Sequence, residues 1–224
     1  MNPMTTTKSW APRAILGLLA CLALTLAACG ESTGSSAAER SETGQALLDA
    51  AVPGGDHPLG EEDAPLLIVE YASLTCSHCA AFHSGAFPQL KEQYIDTGKV
   101  YYILRPFPFD PLATAGFMLA ACAGEERYFN FIDVLFEKQA QWAFVQDPRE
   151  QLEKLAKQGG FSDESFEACM TNQEVYEPIA KTGEVGAEEF EVRSTPTLFV
   201  GGERIEGSRS WEEFEPILKE KLGE

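Results

Sequence analysis

Apolar positions along the chain fall into two periods. Residues 66–69, Leu-Leu-Ile-Val, form an unbroken apolar run and predict a buried strand, with 61–65 as the turn before it. Residues 56–60 predict a short edge strand, and 99–104 a second core strand. Between the core strands, an Ala-rich stretch over about 77–97 predicts a helix that packs Phe82 and Phe87 on the sheet and kinks or restarts at Pro88. Residues 105–109 leave the second strand in extended form, because each proline disfavours a helix before it. Arg105 is placed at the surface, with Glu70 across the sheet as its alternative partner.

From about residue 110 to 190 the pattern is helical. Helices are expected over 112–123, over 125–143, where Phe129, Ile132, Phe136 and Ala140 recur near helical spacing, and over 149–158. The third is entered by Asp147-Pro148 as N-cap and N1 and closed by Gly159-Gly160. A fourth spans 162–170, capped by Ser162, with Ser165 too early for a full capping box. The fifth spans 173–190, loosened around Gly183 and Gly186. Phe129, Phe131, Phe136 and Trp142 are read as helix core rather than a cofactor box. Strands at Thr197–Val200 and Glu203–Glu206 follow, joined by a tight Gly201-Gly202 turn. The closing helix, Trp211–Leu222, carries Trp211, Phe214, Leu218 and Leu222 on one face. The order strand, helix, strand, helices, strand, strand, helix is that of an α/β domain with inserted helices.

The first 28 residues differ from the rest. Lys8 and Arg13 precede an apolar run from Ala14 to Ala28, too short for a membrane span and right for a signal peptide. It ends Leu26-Ala27-Ala28-Cys29-Gly30, which looks like the motif at which bacterial lipoproteins are cleaved before a lipidated cysteine. The expected organisation is a signal peptide over 1–28, a lipidated Cys29 and flexible tether over 29–50, and a folded domain over 51–224. Residues 46–52 are allowed one helical turn or more. Without the leader, 15 Lys and Arg face 35 Asp and Glu, a net charge near −20. Such a surface repels nucleic acid and anionic lipid, so membrane binding falls to the lipid anchor.

The chemistry lies at Cys76-Ser77-His78-Cys79, where the first strand meets its helix. A cysteine at a helix N-terminus has its thiolate stabilised by unpaired N–H groups and the helix dipole. His78, when protonated, adds positive charge beside it. Cys79, one turn on, can close a small disulfide, which makes the pair a site for thiol–disulfide exchange.

Together with Ser194-Thr195-Pro196-Thr197, this motif resembles the DsbA-like branch of the thioredoxin-fold oxidoreductases over roughly residues 56–222. The resemblance implies a thioredoxin fold with a helical insertion at about 110–190, and an enzyme exchanging disulfides with reduced or unfolded secreted proteins in the bacterial periplasm. It implies Cys76 as the exposed sulfur, Cys79 as the buried resolving one, and a cis Thr195-Pro196 bond that presents backbone to an extended substrate. Many relatives carry an acid at the offset of Glu70, which is then either a water-facing acid at the strand end or a buried carboxylate that takes the proton of Cys79. Of the three pairings open to Cys76, Cys79, Cys122 and Cys169, the motif favours Cys76–Cys79 with Cys122–Cys169.

His78 leans toward an oxidase, which needs a membrane redox partner to regenerate it. Thr195 leaves the direction open, since the family's best-known oxidases carry Val there and its isomerases often carry Thr. No dimerisation segment is visible, so a monomer is expected, with no cofactor. Two rivals remain: a copper- or zinc-binding chaperone using Cys76, Cys79 and His83 on one helix face, and an inert Cys76–Cys79 staple.

Overall fold

The computed structural model describes residues 41–50 and 52–224. The expected leader, Cys29 and most of the expected tether lie outside them. Among the described residues no helix is long and apolar enough to cross a membrane.

Five strands form one mixed sheet in the order β1-β3-β2-β4-β5. They are β1 (Pro58–Leu59), β2 (Leu66–Ala72), β3 (Val100–Pro106), β4 (Thr197–Val200) and β5 (Glu203–Glu206). β2 lies at the centre, parallel to β3 and antiparallel to β4, and every one of its residues is buried. That explains its apolar run: a strand covered on both faces has no polar side to show. Leu66, Ile68 and Ala72 enter the larger core with Tyr102, Leu104, Leu198 and Val200. Leu67, Val69 and Tyr71 enter a second core with Ile103 and Phe199 on the other face.

The helices are α1 (Glu42–Asp49), α2 (Ser77–Ser84), α3 (Ala86–Leu90), α4 (Pro111–Cys122), α5 (Glu125–Glu137), α6 (Gln139–Trp142), α7 (Pro148–Gln158), α8 (Asp163–Met170), α9 (Gln173–Glu188) and α10 (Trp211–Leu222), with a π-helical turn at Lys91–Ile95 after α3. This is the thioredoxin fold, with α4 to α9 inserted between β3 and β4.

Several expectations need correction. The flexible tether does not reach residue 50. Ser41 caps α1 by accepting from the Gly44 N–H at 3.1 Å and donates to the Gly201 carbonyl at 2.7 Å, while Leu47 is fully buried. The helix after Cys76 breaks at Gly85 and restarts at Ala86, so the restart expected at Pro88 is found two residues earlier. A proline ring clashes with the carbonyl four residues earlier, so the break precedes it, and Pro88 sits in the first turn of α3 where its missing N–H costs nothing. The helix expected over 125–143 is two helices that meet at Lys138. Asp147 stands at the N-cap of α7 without a side-chain bond to it. Ser165 does complete a reciprocal box with Ser162: each side chain accepts from the other's backbone N–H. α9 runs unbroken through Gly183 and Gly186.

Arg105 is neither at the surface nor opposite Glu70. Register pairs Glu70 with Leu104 and Tyr71 with Arg105, and successive residues of a strand point to opposite faces. Arg105 is fully buried. It donates from Nε and Nη2 to the two Asp56 carboxylate oxygens at 2.8 and 2.7 Å, from Nη1 to the Tyr71 hydroxyl at 3.1 Å, and from Nη2 to the Leu47 carbonyl at 2.7 Å. It thereby ties α1 and the segment before β1 to the sheet. In the insertion, a disulfide joins Cys122, at the end of α4, to Cys169 in α8.

Candidate active site

β2 ends at Ala72, and the chain turns through Ser73, Leu74 and Thr75 into α2, with Cys76 at the N-cap. Cys76 and Cys79 are free thiols; Cys76 is half-buried and Cys79 fully buried. The Cys76 thiol donates to the Thr195 carbonyl at 3.2 Å, across 119 residues of sequence. The Thr195-Pro196 bond is cis. The motif and the Thr-Pro loop are therefore in contact.

The Cys76 pKa is lowered to about 5. A hydrogen bond with the Cys79 thiol is the largest cause. The backbone N–H groups of Cys79 and His78 add to it, and burial opposes them. What reaches the sulfur from His78 is thus its backbone N–H at the start of α2, while its side chain is exposed. Cys79 moves the other way. Burial pushes its thiol far above the ordinary value, and the neighbouring Cys76 and the charge of Glu70 push it further.

Glu70 is fully buried on the face of β2 that looks toward α2. Its Oε2 accepts from the Tyr102 hydroxyl and lies 3.2 Å from His83 Nε2. Of the two positions weighed for Glu70, the buried one beneath the cysteines is the one found. Burial together with Glu70 raises the Tyr102 phenol well above its usual pKa, so it stays a donor. His83 lies between Phe87 and Phe136, with ring centroids 4.5 and 4.2 Å away. Its Nε2 is engaged with Glu70. Among the described residues no group of three His, Cys, Asp or Glu side chains could hold a metal ion.

Four residues escaped the sequence reading in these roles. Tyr102 and His83 complete the cluster around Glu70. Gln139 donates to the Leu74 and Cys76 carbonyls, and Asp110 accepts from the Thr75 hydroxyl. A sequence signal existed for Asp110 alone, which precedes Pro111 as a helix N-cap.

The family model described as thioredoxin matches residues 53–220. The chain belongs to the thioredoxin family. Within it the relatives are disulfide enzymes of DsbA type. A Rickettsia typhi protein named as a protein-disulfide oxidoreductase is 31% identical over 156 residues, 69% of this chain and 58% of that one. The chain therefore spans somewhat under three-fifths of that relative's length. Disulfide bond formation protein D of Bacillus subtilis is 26% identical over 176 residues, 75% of this chain and 78% of its own. Among solved structures, α-DsbA1 of Wolbachia pipientis superposes with a TM-score of 0.70 at 30% identity, over 81% of this chain and 96% of that one. The DsbA-like thioredoxin fold with its helical insertion is thereby established.

Proposed function

We propose that the protein is a thiol:disulfide oxidoreductase that oxidises reduced, unfolded secreted proteins. One observation carries the reading: a half-buried Cys76 whose thiolate is stabilised at the N-terminus of α2, facing Thr195 of the cis-proline loop. A stabilised thiolate is a good leaving group and favours the reduced form of the enzyme, which makes its disulfide an oxidant. In each cycle a substrate thiolate attacks Cys76 of the Cys76–Cys79 disulfide. A mixed disulfide forms, and Cys79 leaves and is protonated. A second substrate thiolate then attacks the substrate sulfur of the mixed disulfide and expels Cys76 as thiolate. Two electrons pass from substrate to enzyme. The proton that the substrate thiol loses ends on Cys79, relayed by the Glu70 carboxylate beside it, and Glu70 takes it back when Cys79 attacks in reverse. The backbone at Thr195 lies where an extended substrate can pair with it.

The second reading, a reductase or isomerase, is favoured by Thr195 before the proline. Reduction potential separates them: a value near −120 mV supports the oxidase and one near −270 mV a reductase. Failure to oxidise a reduced, unfolded protein at any potential would leave Cys76–Cys79 as a staple.

The envelope location rests on the leader and Cys29. The folded part would then work tethered to a membrane in the periplasm, as a monomer, re-oxidised by a membrane redox partner. Cys29→Ser should release the protein from membranes in soluble form; equal retention of the variant would overturn the lipid anchor.

A further inference from the structure

The turn that carries Cys76 is gripped from the inserted helices. Gln139 is the first residue of α6 and only 5% exposed. Its Nε2 donates to the Leu74 carbonyl at 2.8 Å and to the Cys76 carbonyl at 2.9 Å. The Cys76 carbonyl also accepts the first helical bond of α2, from the Ala80 N–H at 3.1 Å. The amide thus spends both its hydrogens on the two backbone groups flanking Thr75. Thr75 in turn donates its hydroxyl to Asp110 Oδ2 at 2.6 Å, while Asp110 Oδ1 caps α4 by accepting from the Ala113 N–H at 2.8 Å. α6 is itself anchored: Trp142 is fully buried and donates Nε1–H to the Leu135 carbonyl at 2.8 Å.

A buried amide is costly unless its hydrogen bonds are made. A packed helix end needs no glutamine, and leucine would fill a similar volume without that cost. The Leu74 and Cys76 carbonyls explain the residue. The Cys76 carbonyl has the Ala80 N–H as its other donor, and Gln139 adds to both carbonyls from a helix more than sixty positions later in the chain.

We propose that Gln139 is a positioning residue for the redox centre: by holding the carbonyls of Leu74 and Cys76 it fixes the rotation of the first turn of α2, and with it the direction of the His78 and Cys79 N–H groups toward the Cys76 sulfur. The inserted helices then tune the cysteine pair through one side chain. A turn released from Gln139 rotates, the N–H groups leave the sulfur, and the thiolate loses part of its stabilisation. The inference rests on Cys76 being the exchanging sulfur.

The test compares the parent protein with Gln139→Leu, which removes both donors, and Gln139→Glu, which keeps the shape. Thiolate absorbance against pH, the equilibrium constant with glutathione, and the melting temperatures of both redox forms are read for each. The expected result is a rise of about one pH unit in the Cys76 midpoint and an equilibrium about tenfold less oxidising, close to 30 mV. The oxidised form should become more stable relative to the reduced form. Equal losses of melting temperature in both forms, with midpoint and equilibrium unchanged, would make Gln139 a packing residue and overturn the proposal. Should neither variant fold, the unaltered protein decides. Its Gln139 side-chain amide signals should be protected from solvent exchange and should titrate with the Cys76 thiolate, and signals that exchange freely or stay fixed through that titration overturn it. A parent protein that does not exchange with glutathione defeats the oxidoreductase reading; a parent that exchanges alongside unchanged variants defeats the role of Gln139 alone.

Discussion

Two thiols three positions apart differ in chemistry because one lies at a helix N-terminus and the other in the core. Cys76, with its pKa near 5, should alkylate at pH 6 to 7, while Cys79 stays unmodified. Mass mapping of the labelled site checks this. A thiol depressed in the folded state stabilises the reduced protein fully above the unfolded thiol pKa, and that stability is lost as pH falls through about 5. Denaturant titration of reduced against oxidised protein between pH 4 and about 8.5 should show that slope. His78→Ala removes the imidazole and keeps the backbone N–H that reaches the sulfur, so the Cys76 pKa should stay near 5. A return to the ordinary thiol range would place the whole effect in the His78 side chain. Glu70→Gln preserves the shape of the buried cluster and removes its base. Attack of Cys79 on the Cys76 sulfur of a mixed disulfide, which expels the peptide thiolate, should slow by about 100-fold at neutral pH, since general acid–base catalysis commonly contributes that much or more. Single-turnover release of a bound peptide measures it, and an unchanged rate would leave Glu70 with a structural role only.

Elements followed the apolar pattern where one face or both were buried, and departed from it where a neighbour intervened. Gly183 and Gly186 do not loosen α9, and they differ in what they face. A Cβ on Gly186 would stand 2.5 Å from the Tyr71 ring, whereas on Gly183 its nearest neighbour is Pro108 at 3.6 Å, an ordinary contact. Gly186→Ala should therefore destabilise the protein by about 1–3 kcal/mol through overpacking. Gly183→Ala should stabilise it by up to about 1 kcal/mol through helix propensity. Urea midpoints of the two variants, moving in opposite directions, are the check. The break at Gly85 was legible as a proline effect but displaced by three residues, because a proline acts on the turn before it. The split at Lys138 had no sequence signal, since both halves carry helical spacing. It has a consequence all the same: it starts α6 at Gln139, beneath the cysteine turn.

For the whole molecule, the inserted helices do more than add core. The Cys122–Cys169 bond joins α4 to α8 across a sequence separation of 47. In the chain-entropy picture such a loop contributes about 4 kcal/mol, and strain commonly lowers the measured value. Replacing both cysteines by Ala should cost about 2–4 kcal/mol in a urea titration and leave the Cys76 midpoint in place, because the turn's side-chain hydrogen bonds come from Asp110, Thr195 and Gln139. The sequence by itself determined the strand and helix order, the Cys76-Ser77-His78-Cys79 motif at a strand–helix junction, the proline loop and the hairpin at Gly201-Gly202. These are local: a period, a cap or a turn residue is written in adjacent positions. Only the tertiary structure decided that Glu70 is buried against Tyr102 and His83, that Arg105 turns away from it to Asp56, that α1 docks through Leu47, and that Gln139 reaches the Cys76 carbonyl. Each depends on which face a strand residue takes in its register, or on a side chain meeting backbone from a segment distant in sequence, and no local pattern encodes that.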